Sequence, residues 1–292
     1  METSDILKRV RRVEIKTRGL SRNIFAGQYH SAFKGRGMTF SEVREYQYGD
    51  DTRNIDWNVT ARYNHPYVKV FEEERELTVM LVVDVSASRE FGTVERWKKN
   101  QITEIAAVIA FSAIQNNDKI GVILFSGKIE KFIPPKKGRA HILRVIRELV
   151  GFQPDDRGTD IAGALEYLTG AIKKRCTCFV ISDFIDDHPL ERPLAIANRK
   201  HDVVALRVHD RREGELPPVG LLYLKDAETG ERAWVDTYSR RAREAYRELA
   251  AARERELERV FKQAGVDVAS IRADEDYVRA LVALFQRRVT GY

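Results

Sequence analysis

Cysteine is nearly absent: Cys176 and Cys178 are the only two in 292 residues. They sit two apart on a strand-like run, so both side chains point to one face and do not easily bridge each other. The pair reads as small buried apolar groups, which fits a reducing compartment and excludes a disulfide-built scaffold. No apolar run approaches the ~20 residues of a membrane-spanning helix, and the opening METSDILKRVRR has no apolar core of signal-peptide length. The expectation is a soluble, cytoplasmic protein without a transmembrane segment. No Gly-rich loop followed by Lys-Ser or Lys-Thr occurs, so any ATP-driven step must come from a partner. Internal repeats and low-complexity tracts are missing too. A strong excess of either charge is also lacking: a net +6 among 32% charged residues permits an anionic partner without demanding one. The basic residues Lys8, Arg9, Arg11, Arg12, Lys16, Arg18 and Arg22 have no aromatics interleaved for base stacking. They read as a solvated helix face, and no nucleic-acid partner is expected.

What is present is organised around Leu77 to Ser88. Val79-Met80-Leu81-Val82-Val83 is a continuous apolar run, as suits a strand buried on both faces of a parallel sheet. It ends in Asp84-Val85-Ser86-Ala87-Ser88, so core gives way to ligand chemistry within one residue. Downstream, strands at 119–125, 177–182, 202–208 and 266–271 alternate with helices at about 94–116, 140–150, 160–174, 188–199, 239–264 and 274–288. A short strand at 129–133 is closed by Pro134-Pro135, and 221–224 with 233–235 reads as a hairpin. In the 160–174 helix, Ile161, Leu165, Tyr167 and Leu168 are expected to face inward. The alternation predicts an α/β fold with a doubly wound, mostly parallel sheet.

Upstream, residues 1 to about 24 read as a helix and 23–38 as a loop. The stretch 39–75 mixes charges and aromatics without an amphipathic helix of useful length. Within it, Tyr67 to Phe71 alternates as a strand, and Asp51 opens a short helical turn. Arg44, Asp50, Asp51, Arg53, Asp56, Arg62 and Glu72 read either as a buried ionic network holding the segment in place or, with Trp57, as a docking surface.

Three loops offer oxygen donors just past strand ends or at a helix start, where open α/β sheets bind ligands. Asp84, Ser86 and Ser88 lie on the first, Thr159 beside Asp160 on the second, and Asp183 on the third, with Asp186 and Asp187 nearby. Asp155 and Asp156 read as loop surface. Two carboxylates and three hydroxyls are hard donors that suit Mg2+, which keeps several waters; Mn2+ would use the same ligands, and Ca2+ is equally hard. A hydroxyl-rich set leaves such an ion able to accept one more carboxylate. The plainer alternative is that Asp84, Thr159 and Asp183 only cap turns and a helix.

At these residues the sequence resembles the von Willebrand factor A-like fold and its metal-ion-dependent adhesion site, in which Asp-x-Ser-x-Ser is followed by a Thr and an Asp. The resemblance implies that Asp84, Ser86 and Ser88, then Thr159, then Asp183 form the set, with hydroxyls touching the metal and at least one Asp reaching it through water. The stretch GRGMTFSEVREYQYGDDTRNIDWNVTARYNHPYVKVFEEERE is similar to the family named domain of unknown function 58, the likeness running from about Gly35 to Arg288. GDDTRNIDW and VKVFEEE are its specific motifs here. Arg89-Glu90 departs from relatives, which more often carry a Met after the last Ser. Members are often associated with MoxR-type AAA+ ATPases, which implies such an ATPase as partner and a client presenting a Glu or Asp. The expected organisation is an N-terminal extension over 1–75 and a von Willebrand factor A-like domain over 76–292.

The function expected is therefore a non-enzymatic, metal-dependent adaptor. A Mg2+-dependent phosphoesterase is the alternative; its base would come from Asp186 or His188, with His209 at another strand end. A nucleic-acid binder using the basic N-terminal helix is the third reading.

Overall fold

The computed structural model describes residues 38–73, 77–87, 98–225 and 230–290. The expected helix over 1–24, the loop after it, Ser88 and Arg89-Glu90 lie outside the described residues. The described residues fall into two units, one within Lys34–Glu76 and one within Leu77–Tyr292.

In the smaller unit, β1 (Met38–Glu45) pairs antiparallel with β2 (Tyr67–Glu73). The register shifts between Phe40 and Glu42, and this bulge breaks the two-residue period that would have marked β1 in the sequence. A helix unforeseen in this stretch, α1 (Trp57–Tyr63), lies between the strands. It has too few residues to show a periodic face, and its signal is its ends. Asp56 accepts from Asn58 N at 3.0 Å and Val59 N at 3.3 Å, and Asn64 closes the helix at φ 53°. The expected turn at 52–54 is a 3-10 turn capped by Asp51.

Among the described side chains the charges do not make a buried ionic network. Arg44 grips Asp50 with two 2.8 Å bonds, pinning the Gly-Asp turn to β1. Asp56 meets Lys69 at 3.4 Å, while Arg53 and Asp51 lie in water with side chains 89% and 52% exposed. These residues hold the small unit together through local pairs. Trp57 is 70% exposed on it, with Tyr48 and Tyr63 also exposed.

In the larger unit, β3 (Thr78–Asp84) sits inside a six-stranded sheet with β4 (Lys119–Phe125), β5 (Ile129–Lys136), β6 (Thr177–Ser182), β7 (Asp202–His209) and β10 (Asp267–Arg272). Their order is β10-β7-β6-β3-β4-β5, and every pairing is parallel except β4 with β5. The chain leaves β3 toward β4 and β5 and returns on its other side as β6. A crevice therefore opens at the carboxyl ends of β3 and β6.

Alternate residues of β3 feed two cores. Val79, Leu81 and Val83 pack with α2 (Lys98–Gln115), α3 (Arg139–Gly151) and α7 (Tyr277–Thr290). Met80 and Val82 pack on the other face with α4 (Ile161–Ala171), α5 (Glu191–Lys200) and α6 (Arg240–Ala264). Each such fully buried aliphatic side chain is worth about 1.5–3 kcal/mol, which makes β3 a rigid base for the residues after it. Gly121 on β4 has no room for a Cβ: one would lie 2.7 Å from Met80 Sδ and 2.9 Å from Ile133 O.

Two local expectations are corrected. β5 runs through Pro134-Pro135 to Lys136, because an edge strand tolerates missing donors. Tyr167 is 38% exposed and meets Phe132 edge-on at 5.7 Å instead of facing inward. The hairpin is β8 (Leu221–Lys225) with β9 (Arg232–Asp236), forming its own two-stranded sheet. Cys176 and Cys178 are free and buried in the same core.

Candidate metal centre

A ring of hydrogen bonds joins the three oxygen-bearing loops. The loop after β3 is tied to the second by Ala87 N donating to Arg157 O at 3.1 Å. The second is tied to the third by Ile161 N donating to Asp186 Oδ2 at 2.7 Å. The third returns to the first through Ser182 Oγ, which donates to Asp84 Oδ2 at 2.6 Å. The second loop is also anchored to the turn after β4, with Asp160 N donating to Ser126 O at 2.9 Å. The strand after that turn, β5, supplies Glu130, whose Oε1 accepts from Asp155 N and Asp156 N at 3.1 and 3.0 Å. Asp155 and Asp156 thus shape the loop from its outer side.

Asp84, Ser86, Thr159 and Asp183 are all buried in or beside this ring. Ser88 lies outside the described residues. Asp84 Oδ1 accepts from Ser86 N at 2.8 Å, which folds the Asp-x-Ser turn back over the strand end. Asp183 Oδ1 accepts from Ile185 N at 3.1 Å. The next residue, Phe184, adopts φ 58°, a left-handed conformation that bulky residues seldom take. It is held there by Phe184 N donating to Ser182 Oγ at 3.0 Å and by an edge-on contact with Phe261 at 5.0 Å. Ser182 therefore both braces the turn and holds Asp84, a role the sequence reading did not assign.

Burial pushes the Asp84 carboxyl up to about 6, and the charge of Asp183 adds to the rise; bonds from Ser182 and Ser86 oppose it. Two buried carboxylates thus repel each other across the crevice. With buried hydroxyls beside them they form a hard donor set, and the residues present fit a divalent cation such as Mg2+.

Two further groups were missed. Lys98, 1% exposed, projects from the start of α2 and donates to Asp183 Oδ2 at 2.9 Å and to Glu213 Oε1. Burial opposes its charge, but the two carboxylates outweigh burial and hold the ammonium above the ordinary lysine range. Burial likewise raises Glu213, against the pull of Lys98. The other oxygen of Glu213 accepts from Asp210 N at 3.2 Å in a capping box after β7. Both had a readable signal. Lys98 occupies a position on the inward stripe that continues at Ile102, Ile105 and Ile109, and Asp210 with Glu213 has capping-box spacing.

Asp160, Asp186 and His188 bring ligand atoms within 4.8 Å of one another. Framework bonds account for them. Asp160 Oδ1 caps α4 through Gly163 N at 2.7 Å, and Asp186 Oδ1 accepts from His188 N and Nδ1 at 2.8 and 2.6 Å. That bond raises the His188 imidazole above its usual range. His209, at the end of β7, is lowered by burial and by neighbouring cations, Arg207 first among them. A cavity of about 720 Å3 opens beside Asp183 and Glu213, with His209, Arg253 and Leu257 on its walls. Among the described residues no helix is long and apolar enough to cross a membrane.

Comparison with known proteins agrees with this architecture. "Uncharacterized protein Rv1480" of Mycobacterium tuberculosis is 33% identical over 287 residues, covering 97% of this chain and 89% of that protein. Among solved structures, the conserved hypothetical protein BatB of Bacteroides thetaiotaomicron superposes with a TM-score of 0.50 at 17% identity, over 73% of this chain and 99% of that one. An aerotolerance-related membrane protein of Bacteroides fragilis also gives 0.50, at 16% identity, over 74% and 100%. These two likenesses show the fold, which is the von Willebrand factor A-like one implied by the sequence. The family described as "Protein of unknown function DUF58" matches residues 42–256, and this chain belongs to it.

Proposed function

We propose that this protein is a non-enzymatic interaction module that holds Mg2+, or Mn2+ or Ca2+ in its place, through Asp84, Ser86, Thr159 and Asp183, with Ser88 as the remaining hydroxyl. The observation that carries the reading is the pair of buried, mutually repelling carboxylates Asp84 and Asp183 at the meeting point of three loops. Such a pair costs stability by itself, and a divalent cation between the two removes that cost. The bound ion would supply an electrophilic position for a carboxylate from outside. Asp84 and Asp183 fix the charge, and Ser86 and Thr159 offer neutral oxygens.

The partner's role rests on family resemblance: a client presents the Glu or Asp, and a MoxR-type AAA+ ATPase supplies the energy this chain has no loop to harvest. The smaller unit is the second contact in this reading. Arg44, Asp50, Asp51 and Asp56 are spent on its framework, while Trp57, Arg53 and Arg62 are exposed and available to a partner. The hydrolase alternative is less well supported. Its base would be His188, which Asp186 orients through Nδ1, and a lone base is all that reading has among the described residues.

Calorimetric titration of the full chain with Mg2+ and Mn2+, beside Asp84→Ala, tests the reading. Binding by the native chain that disappears in the variant is expected. Equal binding by both sinks the assignment.

A further inference from the structure

Lys98 is a buried cation that touches the candidate ligand Asp183, and it approaches from inside the fold. Both oxygens of Asp183 are engaged, one by this ammonium and the other by Ile185 N. Both oxygens of Asp84 are engaged as well, by Ser182 Oγ and Ser86 N. Each carboxylate oxygen has a second lone pair to offer. A cation at this site therefore shares its carboxylates with donors already in place, and on Asp183 it shares with a full positive charge.

We propose that Lys98 is the internal counter-cation of the centre: it holds the site's own affinity for a divalent ion low, so that firm binding needs a carboxylate brought by a partner. This rests on the metal-binding reading above. The ammonium offsets one of the two carboxylate charges facing the ion, leaving a doubly charged cation under-compensated until a third carboxylate arrives. Glu213 sets how strongly Lys98 acts. It divides the ammonium between itself and Asp183 and is held in turn by Asp210 N. Removing the Glu213 charge leaves more of the ammonium's charge to Asp183. Removing the Lys98 charge releases Asp183 to the ion. The two changes move metal affinity in opposite directions, whereas a purely structural role for the trio would weaken binding in both.

The test is Mn2+ titration of the full chain at pH 7.5, native beside Lys98→Met, Glu213→Gln and Asp84→Asn, with circular dichroism to check folding. Lys98→Met is expected to tighten Mn2+ binding by roughly tenfold or more, and Glu213→Gln to weaken it severalfold. Adding Asp84→Asn to Lys98→Met should abolish the gain. If Lys98→Met is folded and binds no tighter than native, the counter-cation role is wrong, while the metal reading survives through its dependence on Asp84. If neither native nor Lys98→Met binds Mn2+, both fail. Should Lys98→Met not fold, the double variant Lys98→Met with Glu213→Gln keeps the native formal charge and still frees Asp183. It is expected to bind tighter than native, and equal affinity overturns the proposal.

Discussion

Replacing Asp84 by Asn should make the metal-free protein more stable, although it removes a residue at the centre of the candidate site. The folded-state carboxyl lies at about 6 against an ordinary 3.8. A shift of that size corresponds to roughly 3 kcal/mol of destabilisation when the group is ionised in both folded and unfolded chains, that is above about pH 6. Below about pH 4 the group is protonated in both states and the cost vanishes. The native, metal-free chain therefore loses this increment of stability as pH rises from 4 to 6. Asn carries no charge and avoids the loss. Its oxygen still accepts from Ser86 N, but its amide meets Ser182 Oγ, whose own proton then lacks its present acceptor. That mismatch costs about 1 kcal/mol. The net gain at pH 7.5 is about 1–2 kcal/mol, a rise in Tm of roughly 2–8 °C for a chain of this size. The assay is thermal and urea unfolding in chelator and in Mg2+. Native protein should gain about 3 kcal/mol from Mg2+ at a hundred times its Kd, and Asp84→Asn should gain nothing. An Asn variant less stable than native in chelator at pH 7.5 would refute the electrostatic reasoning. Equal Mg2+ stabilisation of both proteins would refute the site.

Two further tests address the framework. Burial lowers His201 to about 4 from 6.5, with the cations Lys200 and Arg175 adding to the effect. The unfolded chain then takes up a proton that the folded one refuses, so this group removes stability as pH falls from 6.5 to 4, up to about 3 kcal/mol. His201→Gln should flatten that limb of the stability profile; an unchanged slope in urea unfolding between pH 4.5 and 6.5 would contradict it. Burial raises the Cys176 thiol to about 12 and Cys178 well above its usual range, so neither forms thiolate at pH 8. A chromogenic disulfide reagent should titrate neither in the native protein and both after denaturation; rapid native labelling would contradict the burial.

The sheet was legible in the sequence where physics leaves one option. Val79 to Val83, Ile120 to Phe125 and Cys178 to Ile181 are short runs too apolar for a surface and too short for a buried helix, and each became a parallel strand. The ends of α6 were equally plain, because Ser239 caps its start and Gly265 takes φ 64° at its close. Legibility failed where local bonds replace periodicity. The bulge after Phe40 hides β1, and α1 is defined by Asp56 and Asn64 alone. At the candidate site, Asp84, Thr159 and Asp183 stood out because polar groups follow strands or open a helix. Lys98 and Glu213 carried only a positional signal and Ser182 none, because the partner of each lies 85 or more positions away and is met only through the fold.

That difference bears on what the centre is for. A chain selected only for stability would place Asn or an apolar residue at position 84, because Ser182 and Ser86 return only part of what Asp84 loses by burial. It would also have no need for Lys98, whose ammonium is desolvated among carboxylates that are themselves desolvated. Both costs fall at the carboxyl ends of β3 and β6, the place where three loops close into a ring. Elsewhere the buried polar groups do framework work: Ser112 bonds back to Val108 O within α2, and Asp118 accepts from Leu77 N ahead of β3. Charge that is buried at a cost, concentrated at one strand-end crevice and balanced by a buried lysine, is what a site needs if it must remain incompletely neutralised until a ligand arrives.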